Sequence, residues 1–142
     1  MDHESLVMSQ LEEGAELVKS LRNEKSVPVS DAYWLFDAES GNWSLRLVVP
    51  DLEERGIRET YIALGEVVRE RSERARVASS NFLAFEPIEV RLEGPNDGLA
   101  RAVQSFAEKQ KANLASVIRR SFIEGHHVDD MYIYRRDMRL RA

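Results

Sequence analysis

Twice between residues 32 and 49 the chain takes on the character of a β-strand, with turn residues between the two runs. Ala32-Tyr33-Trp34-Leu35-Phe36 is short, aromatic and apolar. Trp43-Ser44-Leu45-Arg46-Leu47-Val48-Val49 alternates, which puts Trp43, Leu45, Leu47 and Val49 on one face. Glu39-Ser40-Gly41-Asn42 supplies turn chemistry between them, and Pro50 closes the second run. The pattern predicts an antiparallel hairpin. Its first strand sets Ala32, Trp34 and Phe36 against Tyr33 and Leu35. A run near the C-terminus does the same, with Met131 and Ile133 opposing Tyr132 and Tyr134. Strands that are apolar on both faces belong in the middle of a sheet covered on both sides.

Helical periods flank these strands. From Glu4 to Lys25, Val7, Leu11, Val18 and Leu21 recur at three- and four-residue steps, with Leu6 and Leu17 beside them. Asp2 is placed to cap this helix, and Val27-Pro28 ends it, because the residue before a proline avoids helical geometry. A second helix is predicted from Ile57 to Ala75 with an inward stripe of Ile57, Tyr61, Leu64 and Val68. Its outer face would pair Glu66 with Arg69, Glu70 with Arg74 and Glu73 with Arg76. Ile88-Glu89-Val90-Arg91-Leu92 alternates as a third strand. Gly94-Pro95-Asn96-Asp97 then turns into a third helix, capped by Asp97 and burying Leu99, Val103 and Phe106. Strand-like segments at 115–120 and 131–136, linked by a loop at Glu124-Gly125-His126-His127, complete the pattern.

The order α-β-β-α-β-α-β-β, with hairpins at both ends, predicts an α+β fold: a mainly antiparallel sheet of about five strands packed with three helices. A length of 142 residues suits one domain over 1–142, with 137–142 as a C-terminal extension. No apolar run reaches the roughly 18 residues of a membrane span, which predicts no membrane partner. Without cysteine there is no disulfide framework, no thiolate metal site and no cysteine nucleophile. The acidic start Met1-Asp2-His3-Glu4 is unlike a signal peptide, so a soluble cytoplasmic protein is expected.

Tyr33-Trp34-Leu35-Phe36-Asp37-Ala38-Glu39-Ser40-Gly41-Asn42-Trp43-Ser44-Leu45, leading into Val49-Pro50, and Val128-Asp129-Asp130-Met131-Tyr132-Ile133-Tyr134-Arg135 together carry a resemblance. They resemble a family of small uncharacterised bacterial proteins that pairs a W-L-Y-x-P-E-S-x-x-W-x-L hairpin with a closing E-D-A-Y-I-Y-R strand. The resemblance covers most of the chain, including the Pro95-Asn96-Asp97 turn. Ala38 and Gly98 stand where the family tends to have proline, and 137–142 extends past its usual end. That family carries no assigned activity, so the resemblance implies a fold and no catalytic residue.

Three chemistries are open to these residues. Tyr33, Tyr132 and Tyr134, with Arg46 nearby, would form an aromatic-basic surface if one sheet face were uncovered. Such a surface suits a protein interface, whether with a partner protein or in a homo-oligomer, or the stacking of single-stranded nucleic acid. Otherwise the tyrosines are core residues with their hydroxyls at the rim. Residues 100–142 hold nine basic and five acidic side chains, or +4. The total of -5 therefore leaves -9 for residues 1–99. Arg119, Arg120, Arg135, Arg136, Arg139 and Arg141 are thus candidates for phosphate contacts, against a net charge that disfavours nucleic acid. In His126-His127-Val128-Asp129-Asp130, an extended backbone puts His127 and Asp129 about 6.6 Å apart on one face, close enough to share a metal. His126 and Asp130, about 13 Å apart, are not. A third ligand would have to come from elsewhere, for example His3, and a polar hairpin loop explains the stretch as well. No phosphate loop, nucleophile elbow or zinc-protease helix is present, and no motif requires a cofactor. The leading expectation is a non-enzymatic interaction or accessory module that self-associates through its sheet. The alternatives are nucleic-acid binding by the basic segment and a metal-dependent hydrolase at His127 and Asp129.

Overall fold

Tyr33 and Trp34 are neighbours on one strand, point to opposite sides of it, and are both buried. The sheet they belong to is therefore covered on each face. In a computed structural model of the chain, residues 8–78, 89–109, 116–118, 121–123, 126–128 and 130–138 are described. Helix α1 (Met8–Glu24) leads into strands β1 (Asp31–Asp37) and β2 (Asn42–Val48). A single-turn helix α2 (Leu52–Arg55) and the long α3 (Ile57–Ala78) follow, then β3 (Val90–Glu93) and α4 (Gly98–Lys109). Four short strands come last: β4 (Ser116–Ile118), β5 (Ser121–Ile123), β6 (His126–Val128) and β7 (Met131–Ile133).

Five strands form one sheet in the order β3-β2-β1-β7-β4. The β1–β2 hairpin is antiparallel as expected, and its register sets Trp34 opposite Leu45 and Phe36 opposite Trp43. Its turn closes through Gly41, whose N–H reaches Asp37 O at 2.8 Å and whose φ of 73° is costly for other residues. β7 pairs antiparallel with β1 and β4, so β1 and β7 are the inner strands that their two apolar faces predict. β3 joins the edge of β2 in parallel, an exception to an otherwise antiparallel sheet that the α2–α3 crossover makes possible. The pairs Ser116–Ile133 and Ser121–Val128 continue one register, so β5 and β6 prolong the β4–β7 hairpin as a two-stranded arm. The expected loop at 124–127 is thus shorter, because His126 and His127 belong to β6.

On one face, Trp34, Leu45, Leu47 and Leu92 pack with Leu17, Val18 and Leu21 of α1 and Leu64 and Val67 of α3. On the other, Tyr33, Val48, Met131 and Ile133 pack under Ala100, Ala102 and Val103 of α4, with Leu99 and Phe106 alongside. Asp97 caps α4 through the Ala100 N–H at 2.9 Å, as the turn sequence predicts. Asp2, placed to cap α1, lies outside the described residues. Among the described residues no helix is long and apolar enough to cross a membrane.

The fold is mixed helix and sheet as expected; among the described residues there are four helices where three were predicted, and a two-stranded arm beside the sheet of five strands. The phase of α3 is also different. Its buried residues include Thr60, Leu64 and Val67, while Ile57 and Tyr61 are exposed. Thr60 can face inward because its hydroxyl donates to Gly56 O at 2.7 Å, which removes the cost of burying it. Tyr61 is drawn to the sheet edge, where its hydroxyl accepts the Leu92 N–H at 3.1 Å. Glu66 and Glu70 reach across to Lys25, just past α1, at 3.2 and 3.7 Å instead of to Arg69 and Arg74, and Arg74 meets Glu24 of α1 at 3.6 Å. Arg71 holds both carboxylate oxygens of Glu13.

Candidate functional site

The tyrosines singled out from the sequence divide between the two covered faces. Tyr33 and Arg46 are cross-strand neighbours on the α4 face. The Tyr33 hydroxyl donates to Glu93 Oε1, and Arg46 Nη1 donates to Glu93 Oε2 at 3.0 Å. Arg46 Nε reaches Ser44 Oγ at 2.9 Å, so three strands are tied through one carboxylate. Burial, and then the negative charge of Glu93, push the Tyr33 hydroxyl far above the usual phenol range. Burial also raises the Glu93 carboxyl, against the pull of the Tyr33 and Arg46 hydrogen bonds. A phenol held protonated in this way is a fixed donor, and it has no character as a base or nucleophile.

Tyr134 lies on the opposite face. Its hydroxyl accepts from Trp34 Nε1 at 2.8 Å and donates to Leu11 O at 2.8 Å, joining β1, α1 and the segment after β7. A Cβ on Gly14 would collide with that hydroxyl, so α1 approaches this closely only because residue 14 is glycine. Tyr132 stands half-buried beside Tyr134, ring centroids 5.2 Å apart and planes at 81°. Burial raises both phenols, Tyr134 more strongly. Tyr33, Arg46, Tyr132 and Tyr134 therefore do not form one exposed surface. The condition for that surface, an uncovered sheet face, is not met where α4 covers one side and α1 with α3 the other, so self-association through the sheet is corrected, and the alternative of core tyrosines holds for Tyr33 and Tyr134.

The basic segment is engaged internally where it is described. Arg136 Nε donates to the buried Asp31 at 2.8 Å, and its other end lies 3.6 Å from Glu108 on α4. Arg22 donates twice to Val29 O, at 2.9 and 2.7 Å, and to Arg136 O at 2.9 Å, fastening the C-terminal segment to α1. Arg135 pairs with Asp137 at 3.1 Å. Neither Arg135 nor Arg136 is a free phosphate ligand. Arg119, Arg120, Arg139 and Arg141 lie outside the described residues, as do Asp129 and His3. His127 sits in β6 opposite Phe122. Among the described residues no group of three His, Cys, Asp or Glu is arranged to hold a metal ion.

What the sequence reading missed is the outer surface of α3. Ile57, Tyr61 and Ile62 are 54%, 41% and 52% exposed within a turn and a half of one helix. Further along the same helix, Arg58, Ile62, Gly65, Arg69 and Glu73 are all exposed, at steps of four, three, four and four residues. These steps make them a single outward stripe. A Cβ on Gly65 would touch nothing within 4 Å. Arg58, Arg69 and Glu73 make no side-chain ion pair among the described residues, whereas the flank facing α1 is fully paired. Two signals for this surface were present in the sequence: Ile62, which fits no inward stripe, and a glycine in the middle of a helix.

Comparison with known protein families, with curated proteins and with solved structures found no match.

Proposed function

We propose that this chain is a protein-interaction module whose contact surface is the outer face of α3 around Ile57, Tyr61 and Ile62. One observation carries the reading: Ile57, Ile62 and the ring of Tyr61 are each 41–54% exposed within a turn and a half of one helix, on a molecule whose sheet is otherwise covered on both faces. Scattered exposed apolar residues are ordinary, but a cluster on one helix marks a surface that a partner covers. The reading keeps the non-enzymatic expectation and moves it from the sheet to a helix. It also accounts for Tyr33 and Tyr134, whose hydroxyls serve as internal hydrogen-bonding groups. The bacterial, cytoplasmic setting and the family resemblance remain part of the proposal, and neither names a partner.

Photo-crosslinking tests it. A photoreactive residue at Ile62, in the full chain expressed in cells, is expected to trap a defined protein. The same residue at Arg101, exposed on α4 across the sheet, is expected to trap none. Equal capture at the two positions, or none at either, would overturn the reading.

A further inference from the structure

We infer that the partner of α3 is a second copy of this chain, docked through an antiparallel, two-fold-related pairing of the two α3 helices. The inference rests on the interaction reading above and narrows it to one occupant. Its ground is the arrangement of the stripe Arg58, Ile62, Gly65, Arg69 and Glu73. Arg58 and Glu73 lie equally far from a point between Gly65 and Glu66, and so do Ile62 and Arg69. A two-fold axis at that point superposes position 58 of one copy on position 73 of the other, and 62 on 69. Opposite charges then meet at both ends, Arg58 against the second copy's Glu73, about 22 Å apart along the helix. Ile62 lies along the aliphatic stem of the second copy's Arg69, leaving that guanidinium at the rim.

A closed dimer needs such a surface, because an isologous interface must be complementary to itself. The charges fit this role on a further count. Every ionic side chain of α3 described above that faces α1 is already paired, and the three in the stripe are not. Beside the axis stands Gly65, exposed, with open space where a side chain would be, opposite the second copy's Glu66, which is turned toward Lys25. Gly65 is the residue that lets two helix backbones come close. No contact among the described residues needs a glycine there.

The decisive experiment is sedimentation velocity on the full chain, from about 1 μM to 1 mM. The wild type is expected to form a dimer that dissociates on dilution. Arg58→Glu and Glu73→Arg are each expected to weaken it about tenfold, because a two-fold interface places every reversal next to a like charge twice. The Arg58→Glu/Glu73→Arg double variant is expected to return to within about threefold of the wild type. Ile62→Lys is expected to weaken association by at least about tenfold. All four changes sit on an exposed face and leave the monomer's circular dichroism unchanged. A wild type that is monomeric throughout overturns the inference. So does a dimer indifferent to Ile62→Lys, or a double variant no better than the singles. A monomer whose Ile62 position still traps a foreign protein overturns this inference alone and keeps the interaction reading. No specific trap at that position removes both.

Discussion

Tyr33 is the residue whose surroundings most restrict its chemistry. It is wholly buried, its hydroxyl is committed to Glu93, and both burial and that carboxylate's charge hold it protonated. In the unfolded chain the same phenol ionises near 10.0. Above that pH the unfolded chain has released a proton that the folded chain keeps. The folded state then binds more protons, so stability falls as pH rises, and stability is fully present only below pH 10. Each such tyrosine contributes about 1.4 kcal/mol per pH unit to that fall. Tyr134 behaves in the same direction for the same first cause, burial. Urea unfolding between about pH 9 and 11 is expected to show a steep loss in the wild type, and Tyr33→Phe is expected to make it shallower by one tyrosine's share. An unchanged slope would mean that the Tyr33 hydroxyl is not held as described. The slope is the informative quantity, because Tyr33→Phe also lowers stability at neutral pH by leaving Glu93 short of a donor.

At the scale of elements, α3 is built for two neighbours. One flank is fastened to α1 by Lys25, Glu66, Glu70, Arg74, Glu24, Arg71 and Glu13, and the other is left open. Gly65 in the open flank costs the helix about 0.5–1 kcal/mol relative to alanine. Gly65→Ala is therefore expected to raise the monomer's unfolding free energy by that amount in urea titration, since the new Cβ meets nothing. The same change is expected to loosen the dimer, and a variant both more stable and as tightly associated would contradict a close approach at Gly65. β1, β2, β3 and β7 were legible in the sequence from their apolar patterns, whereas β5 and β6 were not, because Glu124-Gly125-His126-His127 reads as a polar loop. The β1–β2 hairpin, the inner position of β1 and β7 and the Asp97 cap all follow from local pattern. The phase of α3 was not legible. Ile57, Tyr61, Leu64 and Val68 make a plausible apolar stripe, and only the Thr60 hydroxyl bond to Gly56 O and the Tyr61 contact with β3 turn the helix away from it. Those are tertiary facts, and apolar periodicity contains no trace of them. The Tyr33–Glu93–Arg46 contact was half legible: the β1–β2 register pairs Tyr33 with Arg46, but the parallel docking of β3 that delivers Glu93 has no signature in the sequence.

For the whole molecule, the two ends of the described chain are held together by charge. Arg136 reaches Asp31 at the start of β1, and Arg22 of α1 holds the Arg136 carbonyl. Asp31 is 1% exposed at its side chain, and one of its carboxylate oxygens accepts no hydrogen bond among the described residues. Arg136 is the cation in direct contact with it, and Arg22 adds its charge nearby. Removing the Arg136 cation strips a buried carboxylate of its direct partner and leaves it only the charge of Arg22, which costs more than the intact pair contributes. Arg136→Ala is expected to lower the unfolding free energy by about 3 kcal/mol, at the low end for a buried pair because Arg136 keeps about a third of its side chain in water. Replacing both charges, as in Asp31→Asn/Arg136→Met, is expected to recover most of that loss, since the buried Asp31 carboxylate is then gone with its partner. The pair also separates two accounts of the basic C-terminal segment. If Arg136 serves the fold, Arg136→Ala lowers the urea midpoint, and the wild type shows no salt-dependent retention of single-stranded DNA that depends on this residue. If it serves phosphate binding, Arg136→Ala leaves the midpoint in place and flattens the salt dependence of binding by about one phosphate contact. The 2.8 Å contact with a buried aspartate predisposes the molecule to the first outcome.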